Sequence, residues 1–161
     1  MTEVERIVDQ YDRAMNGDAW HGDPVWKILD GLSAVQAAWR ANPEVHTIWE
    51  LVSHMRFWET EVRRRLSRRP ARSVEELNFP AMPDVTAKNW TGALAEFRQS
   101  NRDFRTALTK LDDSQLDHQV HGRENSNYVE AHGVLQHHLY HAGQIAILSK
   151  ILAGSKAVTR L

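Results

Sequence analysis

The chain has 161 residues, 42% hydrophobic and 25% charged, with a formal net charge of −1 and no cysteine. This is an ordinary globular composition, long enough to bury one core as a single domain over 1–161. It excludes disulfides and any thiolate of the chain's own, and it leaves no broad basic surface for nucleic acid or anionic lipid.

The opening Met1-Thr2-Glu3-Val4-Glu5-Arg6 is polar and unlike a secretory leader. No apolar run approaches a membrane span, so the expectation is a cytoplasmic protein with no membrane and no nucleic-acid partner. The first helical pattern runs from Glu3 to Met15, with Val4, Ile7, Tyr11 and Met15 on one stripe, and Asn16-Gly17-Asp18 stops it. A linker through Trp20, His21 and Gly22 leads to a shorter helical stretch bearing Val25, Ile28, Leu29 and Leu32. Pro24 suits its first turn and Asp23 the cap before it. The second long helix is predicted over Val45 to Arg68, with Ile48, Leu51, Val52, Met55, Val62 and Leu66 as its apolar face.

A connection from Pro70 to Pro83 precedes the third long helix, Thr86 to Leu111. There Trp90, Leu94, Phe97, Asn101, Phe104, Leu108 and Leu111 alternate by four and three, a bundle seam. Asp112 to Asp117 reads as a helical stub and Gly122 to Asn127 as a polar loop. Asn127 with Glu130 resembles a capping box for a last helix that runs to Leu152 and ends at Gly154. Four long amphipathic helices without strands predict an all-α four-helix bundle with short extra helical segments.

The chemistry-bearing residues are histidines. His137 and His141 lie one turn apart on the last helix, and His54 shares a stripe with Leu51 and Trp58 on the second. If both stripes face inward, three imidazoles converge in the interior, where bundles build metal sites. A buried imidazole needs a partner for each nitrogen, and a divalent cation takes one lone pair from each ring. Three protein ligands leave a coordination position open, the pattern of a catalytic site. The ligand set suits zinc, copper, iron or nickel and does not by itself name the metal; zinc and nickel are the foremost expectations. Chance and surface pairing also produce i, i+4 histidine pairs, and spacing alone does not show that the two helices meet at His54.

The pattern resembles the DinB-like family, which includes enzymes of the bacillithiol S-transferase type. The resemblance is carried by His54 in Ile48-Trp49-Glu50-Leu51-Val52-Ser53-His54 and by His137 to Gln144, ending Tyr140-His141-Ala142-Gly143-Gln144. Trp20-His21-Gly22 and Trp58-Glu59 also fit. The family's second-helix histidine corresponds to His54, and its final-helix pair to His137 and His141. Ala142 departs from the arginine that many members carry, beside the ligands and not among them. The resemblance implies a four-helix bundle holding a divalent metal on three histidines, often as a homodimer. Its activities include thiol S-transfer and a mycothiol-dependent isomerisation.

Other polar residues are read more plainly. Glu50 is a capping or solvated carboxylate in preference to a base beside the metal, and His46 lies about 12 Å along the helix from His54, too far to share its ion. His138 points away from His137 and is taken as a surface or interface residue. His21, His118, His121 and His132 fall in loops or near helix starts. Asn101 either sets bundle register or lines a polar pocket over the metal, and Gln144 either bonds a ligand ring or plays an ordinary polar role. Arg63, Arg64, Arg65, Arg68, Arg69 and Arg72 form a solvated cationic end to the second helix, and Trp20 is a candidate pocket wall. The leading functional expectation is a metal-dependent transferase joining a low-molecular-weight thiol to a small electrophile, with no assignable general base. A metal-dependent hydrolase shares the same ligand set, and a non-catalytic, stress-linked metal-binding module is the third reading.

Overall fold

The computed structural model describes residues 1–69 and 77–158. Pro70 and Arg72 lie outside the described residues. Seven helices occur among those described: α1 Glu3–Asn16, α2 Val25–Leu29, α3 Ala34–Ala38, α4 Ile48–Leu66, α5 Ala87–Leu108, α6 Asp113–Leu116 and α7 Asn127–Val158. The architecture is the all-α bundle expected, built on the four long helices α1, α4, α5 and α7. The isolated Gln119–Ser126 bridge is the sole strand-like pairing in the described part.

Side-chain caps set where the helices begin. Thr2 and Glu5 form a reciprocal capping box at α1, and Asp113 from α6 accepts from the Glu3 and Val4 N–H groups at 2.9 Å each. Thr47 and Glu50 form the box of α4, so this helix starts at Ile48 and not at Val45. It ends at Leu66, short of Arg68, whose left-handed φ of 57° breaks the ladder. Thr86 caps α5, which closes at Leu108, before the predicted Leu111. Pro24 is itself the N-cap of α2, while Asp23 pairs with Lys27 at 2.7 Å. Gly31, at φ +72°, turns the chain into α3. Helix α3 lies beyond the predicted stretch through Leu32, and Ser33 and Gln36 open it with a capping box.

Two readings of α7 are corrected. The Val129 N–H is accepted by Ser126 Oγ at 3.3 Å, while Asn127 donates to Gln115 O and Glu130 is taken by Arg65, so Asn127 and Glu130 make no box. The helix also runs through Gly154 to Val158; a helical glycine costs only about 1 kcal/mol against alanine.

The core is centred on Tyr11, Met15, Trp49, Met55, Phe97, Phe104 and Ile145, all 2% exposed or less. Fully burying one such side chain contributes about 1.5–3 kcal/mol before ordering costs. Helix α4 packs along both α5 and α7, and α7 also meets α1 and α2. The two helices that carry the three histidines are therefore neighbours. No helix among the described residues is long and apolar enough to cross a membrane.

Candidate metal centre

Two stripes on α4 do different work. Ile48, Val52, Met55, Glu59, Val62 and Leu66 repeat by four and three and are all buried. Beside them run Leu51, His54, Trp58, Glu61 and Arg65, a flank that carries the polar chemistry. On α7 the buried stripe is Ala131, Val134, His138, His141, Ile145, Leu148 and Leu152, with His137 on its edge. Ile151, three residues beyond Leu148, is 45% exposed.

The helices bring His54, His137 and His141 together as a group that could hold one metal ion. His54 Nε2 lies 2.8 Å from His137 Nε2, which lies 3.0 Å from His141 Nε2. The opposite nitrogens fix the tautomers. His54 Nδ1–H donates to Asn78 O at 2.8 Å, and His141 Nδ1–H donates to Gln144 Oε1 at 2.6 Å. Both rings therefore present Nε2 lone pairs to the space between them. Whichever nitrogen of His137 carries its proton, at least two of the three Nε2 atoms meet as lone pairs. His137 Nδ1 is buried with no hydrogen-bond partner among the described residues. Bare rings cannot satisfy this arrangement, whereas a cation accepts all three lone pairs at once. The donor set thus fits a divalent metal of the imidazole-binding kind.

Burial keeps the rings neutral. It lowers the His54 pKa to about 4, with the Asn78 hydrogen bond opposing and the neighbouring imidazoles adding to the fall. It lowers His137 to about 3, helped by His138, His141 and His54. His141 is lowered by the same cause, against the pull of Gln144. The lone pairs are therefore available at neutral pH.

The connection before α5 builds one wall. Asn78 joins the site through its carbonyl to His54 and through its side chain, which accepts from Trp58 Nε1 at 2.9 Å. Phe79 stacks on His54 with ring centroids 4.1 Å apart and planes within 4°, and His46 covers its other face at 3.9 Å. Thus His46 reaches the site only through Phe79. Neither Asn78 nor Phe79 carries a periodic signal that would have marked it.

The DinB superfamily profile matches residues 19–145. The chain belongs to the DinB superfamily. The matched span contains His54, His137 and His141 and stops at Ile145, within α7. Comparison with curated proteins and with solved structures gave no match.

Elsewhere in this DinB-superfamily chain several expected positions move. His138 is fully buried, not superficial, and its Nε2 lies 2.8 Å from Glu59 Oε1. Tyr11 OH and Asn101 Nδ2 donate to the same oxygen at 2.5 Å each, and Asn101 Oδ1 accepts from Trp26 Nε1 at 3.0 Å. Asn101 therefore ties α2, α4 and α5 together. Glu59 was marked in the sequence by the Trp58-Glu59 resemblance and by its interruption of an apolar stripe, but neither gave it this core role. Glu50 caps α4 and pairs with Arg40 at 2.6 Å, as a capping carboxylate should. Gln144 bonds a triad ring.

The basic cluster is mixed. Arg65 is buried, pairing with Glu61 at 3.1 Å and Glu130 at 2.9 Å, and Arg63 meets Asp103 at 3.3 Å. Arg68 and Arg69 remain exposed. Trp20 is wholly exposed and walls no pocket; His21, His118 and His121 are also exposed, and His132 rests against Tyr128.

Proposed function

We propose that His54, His137 and His141 bind one divalent metal ion, with zinc and nickel foremost. We further propose that the protein is a metal-dependent transferase joining a low-molecular-weight thiol to a small electrophile. The observation that carries the reading is the convergence of three neutral imidazoles whose Nε2 atoms have no donor to satisfy them all. DinB membership supports the same direction. Bound there, the ion would supply Lewis acidity, lowering the pKa of a coordinated thiol or water.

The chain's own residues hold and shield. Asn78 and Gln144 hold the tautomers of His54 and His141. Phe79 and Trp58 keep water from the outer side of the His54 ring. With no cysteine in the chain, the reacting sulfur comes from a cosubstrate. A cavity of about 340 Å³ bordered by Trp58 and His137 provides room for small molecules, which favours an enzyme over a purely structural metal module.

Metal-loaded protein offered glutathione, bacillithiol and mycothiol with a model electrophile should turn over with at least one thiol, and lose that rate on chelation. No metal-dependent rate with any thiol removes the transferase reading. Metal-dependent turnover without a thiol requirement replaces it with a hydrolase.

A further inference from the structure

The cavity beside His137 has a polar far end that the metal does not use. Its sides are Trp58, Val62, Val129 and Val134, and its lining also includes Arg65, Arg123 and Glu130. Arg65 Nε donates to Glu61 Oε1 at 3.1 Å and Nη1 to Glu130 Oε2 at 2.9 Å, while Nη2 is buried with no partner among the described residues. The Arg65 side chain is 3% exposed, and its guanidinium sits 5.3 Å from the Trp58 ring centroid, which holds its plane in place. A buried guanidinium N–H without an acceptor costs free energy unless a ligand supplies one. The Arg123 guanidinium, more exposed, likewise has no side-chain partner among the described residues.

Charge narrows the ligand. Of the charged residues that line it, Arg65 and Arg123 stand against Glu130, one cation in excess. A single carboxylate neutralises that excess, whereas a dianionic phosphate would leave a buried negative charge. Length narrows it further: His137 and Glu130 are seven residues apart on α7, about 10 Å along the axis. We infer that this cavity binds a small carboxylic acid with an apolar body, its carboxylate on Arg65 Nη2 and Arg123 and its other end toward His137. The binding stands on the cavity alone; only the identification of this molecule as the electrophile rests on the transferase reading above.

The test uses 3-phenylpropanoate and its neutral amide as probes, with calorimetry on metal-loaded and chelator-treated protein. The acid should bind both forms about tenfold or more tightly than the amide, the size of one charge-assisted hydrogen bond. Arg123→Met, at an exposed position, should remove most of that preference without lowering Tm. Arg65→Lys keeps the charge and shortens the donor fork, and should weaken the acid and leave the amide unchanged. Equal binding of acid and amide, an unaltered preference in Arg123→Met, or acid binding that needs the metal each overturns the inference. Acid binding without thiol-dependent turnover sinks only the transferase reading, and turnover without acid preference sinks only this one.

Discussion

Two buried polar clusters share helices α4 and α7, and they are built on opposite principles. In the triad, three nitrogens face one another with too few protons between them. In the knot around Glu59, three donors from Tyr11, Asn101 and His138 converge on one oxygen. The first cluster leaves lone pairs that a cation could take; in the second the chain itself saturates Glu59 Oε1, while Glu59 Oε2 and His138 Nδ1 stay buried without a partner among the described residues. His137 and His138 are adjacent in sequence, yet the 100° between successive helical residues sends one ring to each cluster. Residue type therefore does not assign a role here. The count of protons on the facing atoms does.

That contrast predicts the largest separation of effects. His137→Ala should abolish tight divalent-metal binding, read as metal per chain after dialysis, while the metal-free fold is retained, because one crowded ring is removed from an unsatisfied group. His138→Ala should keep metal stoichiometry and lose stability. If both variants lose metal equally, the two clusters are one, and the distinction fails.

Glu59→Ala comes next. It leaves three buried donors without an acceptor, and breaking such a buried group costs about 3–5 kcal/mol. Denaturant unfolding should show this loss. Glu59→Gln keeps an acceptor oxygen for the three donors and should cost less. A change below about 1 kcal/mol for Glu59→Ala would mean that the knot contributes little.

Acid should separate the clusters on a third axis. His54 and His137 titrate near 4 and 3 in the folded chain, below the ordinary value of 6.5 for an exposed imidazole. Between these values the unfolded chain binds protons that the folded chain refuses, so stability falls as pH falls. Metal-free protein should therefore have a flat Tm above about pH 6.5 and a declining one from there toward pH 3. Replacing His54 and His137 together with alanine should flatten that decline. An unchanged slope in the double variant would place the acid sensitivity elsewhere.

Much of this was legible in the sequence, unevenly. The pair His137 and His141 was visible because i, i+4 spacing is a local pattern, whereas His54 joined it through the family resemblance and not through spacing alone. So were the long helices, since apolar residues recur every three or four positions. The phase of α7 was not legible: a polar His138 hid the core stripe Ala131, His138, Ile145. The core role of Glu59, between Met55 and Val62, was not legible either. The His138 error comes from treating polarity as exposure, when a buried polar group is stable wherever partners from other helices reach it. Asn78 and Phe79 were invisible for a different reason. Their contacts to His54 cross a connection whose path no local periodicity encodes.

The smallest predicted effect falls on α1, which lies outside the matched span of 19–145 yet supplies Tyr11 to the knot. Tyr11→Phe removes one donor and keeps the ring, which packs against Phe104 at 5.3 Å. Glu59 Oε1 retains Asn101 and His138, so no buried acceptor is stranded, and the loss should be about 1 kcal/mol, one net hydrogen bond. Burial and the nearby Glu59 carboxylate raise the Tyr11 pKa well above its usual value, so the phenol is a neutral donor at physiological pH and the cost should be independent of pH between 6 and 9. Metal content should not change. A fall in metal content in Tyr11→Phe would show that the knot positions α7 for the triad, and that α1 belongs functionally to a site to which it contributes no ligand.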